Sequence, residues 1–314
     1  MRPILFQFGD CYIVSYSAMM FLGVFAGVIA VLLRIRGKPV DGPLLAKAMI
    51  AAVVSGWLFG RAGLWLDGTA RDAGIRVLSP AYQAPGSLTY FLIGVCAGLL
   101  VFAAAVGKAA VACLDAMAPS TFTAMLFAKI GCLLGGCCAG GTCLAPLGIA
   151  YPYGSPVYEY QYRTGALAVP PELVRPAAEA NGPRLWGHAQ TLALEPERFA
   201  DLLAGAGLSR ESAPAMIELA RTQRSLPVWP VPIAASAASL ALWTAAEFVY
   251  RKSKRPGTTL AFVFAAYGAL RLTLDWFIAL RGARFLDMSV AQWVGTCAIV
   301  LAAVIWVRRP QPAD

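Results

Sequence analysis

The sequence predicts an all-α polytopic integral membrane protein of about seven membrane-spanning helices, with a small, mostly helical head outside the bilayer. Two observations carry this prediction, composition and the length of the apolar runs. Hydrophobic residues make up 59% of the 314-residue chain, charged residues 14%, and there is one histidine. Soluble globular domains carry roughly 25% charged residues. Apolar runs of about 20 residues, enough for a helix to cross the hydrocarbon, recur along the chain. The formal net charge of +9 does not point to nucleic acid, because the positive residues gather at the ends of apolar runs rather than along one amphipathic face.

The first span is expected at residues 12–33. Arg34-Ile35-Arg36-Gly37-Lys38 follows it in place of a small-residue cleavage site, so it reads as an anchor and not a removed signal peptide. Residues 45–66 and 87–107 supply the second and third spans. The region 108–141 is too long for one straight crossing. Pro119, with Asp115 ahead of it, marks the end of a juxtamembrane piece, and the fourth span then covers 120–140. Spans five to seven are expected at 228–249, 258–280 and 289–307. Residues 1–143 thus carry four helices, 144–225 form an insert, and 226–314 carry three more.

Positive charge sets the expected orientation. Arg34, Arg36, Lys38, Lys47, Lys108, Arg251, Lys252, Lys254, Arg255, Arg308 and Arg309 all fall on one side of a seven-span chain. By the positive-inside rule that side is cytoplasmic, which puts the amino terminus and the insert outside. The insert holds seven arginines and eight acidic residues, a polar balance suited to a head domain. Helix-like patterns at 171–173, 195–204 and 209–221 are broken by Asn181-Gly182-Pro183 and by glycines. Ser209 is a candidate cap, although Ser212 stands where a capping box would have glutamate.

Several polar residues interrupt the apolar runs. Tyr267, Arg271 and Asp275 recur at four-residue spacing and so share one helix face. Charges at membrane depth are costly and mark function by default. One reading has Arg271 and Asp275 neutralising each other, with Tyr267 capping the pair. The other has Arg271 offering its fork of donors to a phosphate or carboxylate, with the tyrosine hydroxyl beside it. Arg61 and Lys129 would complete a cationic patch suited to a phospholipid headgroup.

Lys129 opens a segment that runs Gly131-Cys132-Leu133-Leu134-Gly135-Gly136-Cys137-Cys138 and ends at Cys143, with four of the chain's eight cysteines. Three readings apply. Small residues allow close helix packing; Cys143 can form a disulfide with Cys137 or Cys138 at an oxidising face; or Cys132, Cys137, Cys138 and Cys143 hold a metal. On a continuous helix Cys137 and Cys138 point about 100° apart, so joint ligation requires the helix to end there.

These residues carry a family resemblance. Lys129-Ile130-Gly131-Cys132-Leu133-Leu134-Gly135-Gly136-Cys137-Cys138-Ala139-Gly140 resembles the signature segment of the prolipoprotein diacylglyceryl transferase family in a cysteine-rich form. Tyr267-Gly268-Ala269-Leu270-Arg271, with Asp275 in place of glutamate, resembles its second arginine motif. Gly60-Arg61, Asp115 with Pro119, and the stretch 288–293 with Gln292 agree in order. The resemblance implies a multi-pass enzyme of the bacterial inner membrane that moves diacylglyceryl from phosphatidylglycerol to the thiol of a lipoprotein precursor. It implies catalytic roles for Arg271, Tyr267 and Lys129, and lipid binding by Arg61, Gly131, Cys132, Gly136 and Asp275. No cofactor and no metal are expected from it.

The chain also departs from that pattern. Thr89 stands where the family has a histidine, Cys132 where it has asparagine, and Trp229-Pro230-Val231 keeps only the proline of a further histidine motif. His188 lies in the insert, and Tyr90 is a poor base at neutral pH, since phenols titrate near about 10. Two alternatives therefore stand beside the transferase: an inert phospholipid-binding or assembly protein of the same fold, and a thiol-redox or metal-handling membrane protein.

Overall fold

The computed structural model describes residues 3–8, 11–36, 40–66, 88–107, 109–143, 147–175, 184–279 and 284–308. The first helix starts later than the apolar run suggests. Strands β1 (Ile4–Phe8) and β2 (Cys11–Val14) pair as an antiparallel hairpin, and α1 (Ser15–Arg34) begins after it. A short apolar run does not reveal by periodicity whether it is strand or helix. Here the β-branched Ile13 and Val14 find partners in the preceding segment.

Four helices follow: α2 (Gly42–Leu66), α3 (Leu88–Val106), α4 (Ala109–Met117) and α5 (Ser120–Gly135). Pro119 separates the last two, as its place in the sequence suggests. The insert folds as α6 (Pro156–Arg163), a single 3-10 turn at Pro171–Leu173, and a two-residue hairpin of β3 (Val174–Arg175) and β4 (Arg184–Leu185). Helices α7 (Ala189–Leu194), α8 (Pro196–Gly205) and α9 (Ala213–Thr222) complete it. Ser209 acts as the expected cap, its hydroxyl accepting from the Glu211 amide at 3.2 Å. The Asn181-Gly182-Pro183 break lies outside the described residues. Then come α10 (Val231–Lys252), α11 (Thr258–Phe277), the short pair β5 (Arg284–Phe285) and β6 (Met288–Ser289), and α12 (Val290–Arg308).

Among the described residues, six helical stretches are long and apolar enough to cross a membrane: α1, α2, Ala109–Gly135, α10, α11 and α12. Tyr90–Val106 in α3 is a shorter apolar helix. Phe21, Val101, Trp276 and Val307 on these helices are exposed, as apolar side chains that face lipid are. The chain is an all-α, multi-pass membrane protein.

It divides into two compact units. The first comprises residues 1–19, 129–234 and 277–281. Its head has a core of Tyr153, Tyr158, Leu173, Trp186, Phe199, Leu203 and Ile217. The residues after α5 are extended and stitched to two other segments: the Gly140 amide donates to Trp229 O at 3.0 Å, the Cys143 amide to Pro227 O at 2.9 Å, and the Ala279 amide to Ala139 O at 3.1 Å. The amino-terminal hairpin is held by Gln190, which bonds both the amide and the carbonyl of Ile4, and by Tyr12 donating to Glu195.

The second unit comprises residues 20–128, 235–276 and 282–314. Its helices approach through small residues, the usual device where lipid removes a hydrophobic driving force. A β-carbon at Gly56 of α2 would lie 2.7 Å from Val95 of α3, and one at Gly268 of α11 would lie 2.5 Å from the Gly295 carbonyl of α12. Asp115 accepts from the amides of Gly257 (2.5 Å) and Leu260 (2.8 Å), which caps the start of α11. Arg34 is paired with Glu247 and also donates to the Ala116 carbonyl.

Candidate functional site

The residues singled out from the sequence fall into two sets. Lys129, Gly131, Cys132, Gly136, Cys137, Cys138 and Cys143 belong to the first unit, and Arg61, Tyr267, Arg271 and Asp275 to the second.

In the second unit, Tyr267 and Asp275 are buried and Arg271 is half-buried, one face of α11 carrying all three. Among the described residues no ion pair joins Arg271 to Asp275. Asp275 Oδ2 instead accepts from Ser289 Oγ at 3.0 Å. Ser289 is itself held in a reciprocal cap: its amide donates to Gln292 Oε1 at 2.9 Å, and its Oγ accepts from the Gln292 amide at 3.1 Å. This is a capping box at the start of α12, and Ser-x-x-Gln at 289–292 was its signal in the sequence. Asp275 therefore ties the end of α11 to the start of α12, a structural task. The close approach at Gly268 and Gly295 brings Arg271 Cβ within 3.4 Å of where a Gly295 side chain would begin, so the arginine leaves the helix over a glycine.

Arg61, near the end of α2, lies over the Trp57 ring at 5.9 Å, a cation–π contact that holds its charge in an apolar setting. Two residues on, Gly63 gives room to the Tyr90 ring, with Tyr90 Cβ 2.7 Å from where a Gly63 side chain would begin. The side chain of Thr89 lies outside the described residues.

In the first unit, Lys129 is 2% exposed. Among the described residues no carboxylate pairs with it. Gly131 permits the close crossing of α1, since a β-carbon there would lie 3.0 Å from Tyr16 Cα. Helix α5 ends at Gly135. Gly136 takes a φ of +73°, and the amides of Gly136 and Cys137 both donate to Cys132 O, at 2.9 and 3.1 Å. That is a left-handed carboxyl cap for which glycine is the natural residue. Cys138 follows at a φ of +57°, unusual for a residue with a side chain.

The double reversal sends the chain back over α5. The sulfurs of Cys132, Cys137 and Cys138 come to lie within 4.8 Å of one another, with Cys132 and Cys138 at 3.7 Å. Neither these three nor Cys143 is in a disulfide among the described residues. Cys143 stands apart from the cluster, its sulfur against Gly148. The condition for joint use of Cys137 and Cys138, that the helix stop before them, is met.

Sequence reasoning missed Tyr151. It is fully buried, its ring packs on Gly136, and its hydroxyl has no hydrogen-bond partner among the described residues. Burial raises its phenol to about 12, with the three thiols adding to the shift. It therefore stays protonated. His188 lies in the head; its Nδ1 accepts from the Gln190 amide at 3.0 Å at the start of α7, and burial lowers its imidazole to about 4.

A family model described as prolipoprotein diacylglyceryl transferase matches residues 3–308. A phosphatidylglycerol–prolipoprotein diacylglyceryl transferase of Rhodopirellula baltica is 28% identical over 253 residues, covering 64% of this chain and 51% of that protein. One of Clostridium tetani is 25% identical over 156 residues, covering 48% of this chain and 61% of that protein. The matches thus span between half and two thirds of these curated relatives' length.

Proposed function

The chain belongs to the prolipoprotein diacylglyceryl transferase family, and from that premise we propose that it moves a diacylglyceryl group from phosphatidylglycerol, or a related anionic phospholipid, to a protein thiol in a bacterial inner membrane. The acceptor sulfur, as thiolate, attacks the terminal glyceryl carbon. The carbon–oxygen bond to phosphate breaks, and glycerol phosphate leaves with the electron pair. Negative charge grows on the phosphate oxygen during that step, so catalysis calls for fixed positive charge and donors in a site from which water is excluded.

The observation that carries this reading is the Tyr267 and Arg271 pair, four residues apart on one face of a membrane-spanning helix. Arg271 offers a bidentate fork to the phosphate and Tyr267 a hydroxyl. Asp275 accepts from Ser289, so its carboxylate serves the junction of α11 and α12. Lys129 is the cation of the signature segment, keeping the charge of an arginine without its fork. Arg61 adds positive charge near the end of α2. The positive-inside pattern supports an outward amino terminus and head with a cytoplasmic carboxyl terminus.

The test is release of glycerol phosphate from headgroup-labelled phosphatidylglycerol by the purified chain, with and without a lipobox peptide. Release that requires both the peptide and Arg271 is the expected result. A second reading, a lipid-binding relative that does not turn over, is favoured by one observation: His188, the sole histidine, is spent on a helix start in the head. Lipid retained through Arg271 without any release would establish it.

A further inference from the structure

We infer that Cys132, Cys137 and Cys138 bind one zinc ion as three thiolates and leave a fourth position open to an incoming thiol. Four features converge on this. The sulfurs lie within 4.8 Å of one another, two of them at 3.7 Å; zinc–sulfur bonds of about 2.3 Å in a tetrahedron put sulfurs about 3.8 Å apart. The backbone is bent to achieve this, with Gly136 and Cys138 both at positive φ. A non-glycine residue in that region is strained and persists only where the surroundings hold it. Simple small-residue packing would not need the Cys138 sulfur turned back toward α5.

Charge identifies the ion. Three thiolates carry three negative charges, and Lys129, one turn before Cys132 on α5, carries one positive charge inside the protein. A divalent ion makes the resting group neutral, which burial favours, and an incoming thiolate then adds a single negative charge; a monovalent ion would leave the resting group one charge short. Soft thiolate donors with no carboxylate suit zinc over magnesium or calcium. Tyr151 lies in the surrounding layer: its ring packs on Gly136, and its buried hydroxyl has no partner among the described residues.

Three protein ligands and one open position are the pattern of a reactive rather than a structural zinc site. A thiol that takes that position gives its proton to solvent and binds as thiolate. This last step rests on the transferase reading, in which the acceptor is a protein thiol. It supplies the deprotonation that a chain with Thr89 in the family's histidine position otherwise lacks. A thiolate formed in this way is the nucleophile that the transferase reading calls for.

Elemental analysis of the full-length protein in detergent, after dialysis against zinc and then metal-free buffer, tests the site. One zinc per chain is expected, retained in Cys143→Ser and reduced by about tenfold or more in Cys132→Ser and Cys138→Gly. Cys138→Gly is the decisive variant, because glycine suits the positive φ and preserves the fold while removing the sulfur. Zinc held equally by Cys138→Gly, copper in place of zinc, no metal, or a Cys132–Cys138 disulfide in the purified protein would each overturn the site. The open position is read separately on the cobalt-substituted protein: a cysteine peptide should shift the thiolate-to-cobalt absorption and its serine counterpart should not. A cobalt spectrum indifferent to the cysteine peptide overturns the thiol step alone, whereas failure of glycerol phosphate release would overturn the transferase reading with the metal site intact.

Discussion

In the transferase reading the guanidinium of Arg271, within a membrane-spanning helix, binds a lipid phosphate. Loss of a charged hydrogen bond of this kind is worth about 1.5–3 kcal/mol. Arg271→Ala should therefore weaken retention of phosphatidylglycerol by about ten- to a hundredfold, measured by lipid co-purification against a neutral lipid of the same chain length. Arg271→Lys should recover part of the loss, because charge remains and the fork does not. Tyr267→Phe should cost about 1 kcal/mol, or roughly fivefold. His188 makes a prediction of another kind. Burial holds its folded-state pKa at about 4 against an ordinary 6.5, so between these values the unfolded chain binds the extra proton. Its contribution to head stability is complete above about 6.5 and is lost as the pH falls toward 4. Thermal unfolding of the wild type and His188→Gln, compared at pH 7.5 and pH 5, should show the wild type losing more stability on acidification.

At the scale of the element, the end of α5 decides where the thiols go. Gly136→Ala would meet the Tyr151 ring at 2.7 Å and Ser155 at 2.9 Å with the backbone at positive φ. The expected loss is about 1–3 kcal/mol of stability, together with the thiol cluster; a melting curve and thiol accessibility check it. That the helix could stop here was legible in Gly135-Gly136, whereas the return of Cys138 toward Cys132 was not, because a positive φ at cysteine leaves no mark in composition or period. The spans were legible for the same reason that membranes are restrictive: only helices satisfy their own backbone in lipid. Their ends were less so. Residues 12–14 read as helix but pair as strand, and the four-residue spacing of Arg271 and Asp275 allowed an ion pair as one of two readings. That spacing shows only which side chains share a face. It could not reveal Ser289, brought in from the start of α12 by a capping box that claims the carboxylate first.

At the scale of the whole molecule, two buried carboxylate contacts fix the second unit, and both come from far along the chain. Arg34 is 3% exposed and pairs with Glu247 of α10, while Asp115 caps α11. Breaking a buried pair by removing one partner costs about 3–5 kcal/mol. Glu247→Ala should accordingly lower the unfolding temperature and the yield of folded protein far more than Glu218→Ala, whose partner Arg221 is on the head surface. The central claim for the molecule is transfer of diacylglyceryl to a protein thiol, and the most direct measurement is the mass of a lipobox peptide after incubation with the full-length protein and phosphatidylglycerol vesicles. The account expects a gain of one diacylglyceryl group on the cysteine, absent with Arg271→Ala and absent when serine replaces the peptide's cysteine. A peptide that stays unmodified while the lipid binds through Arg271 would contradict it.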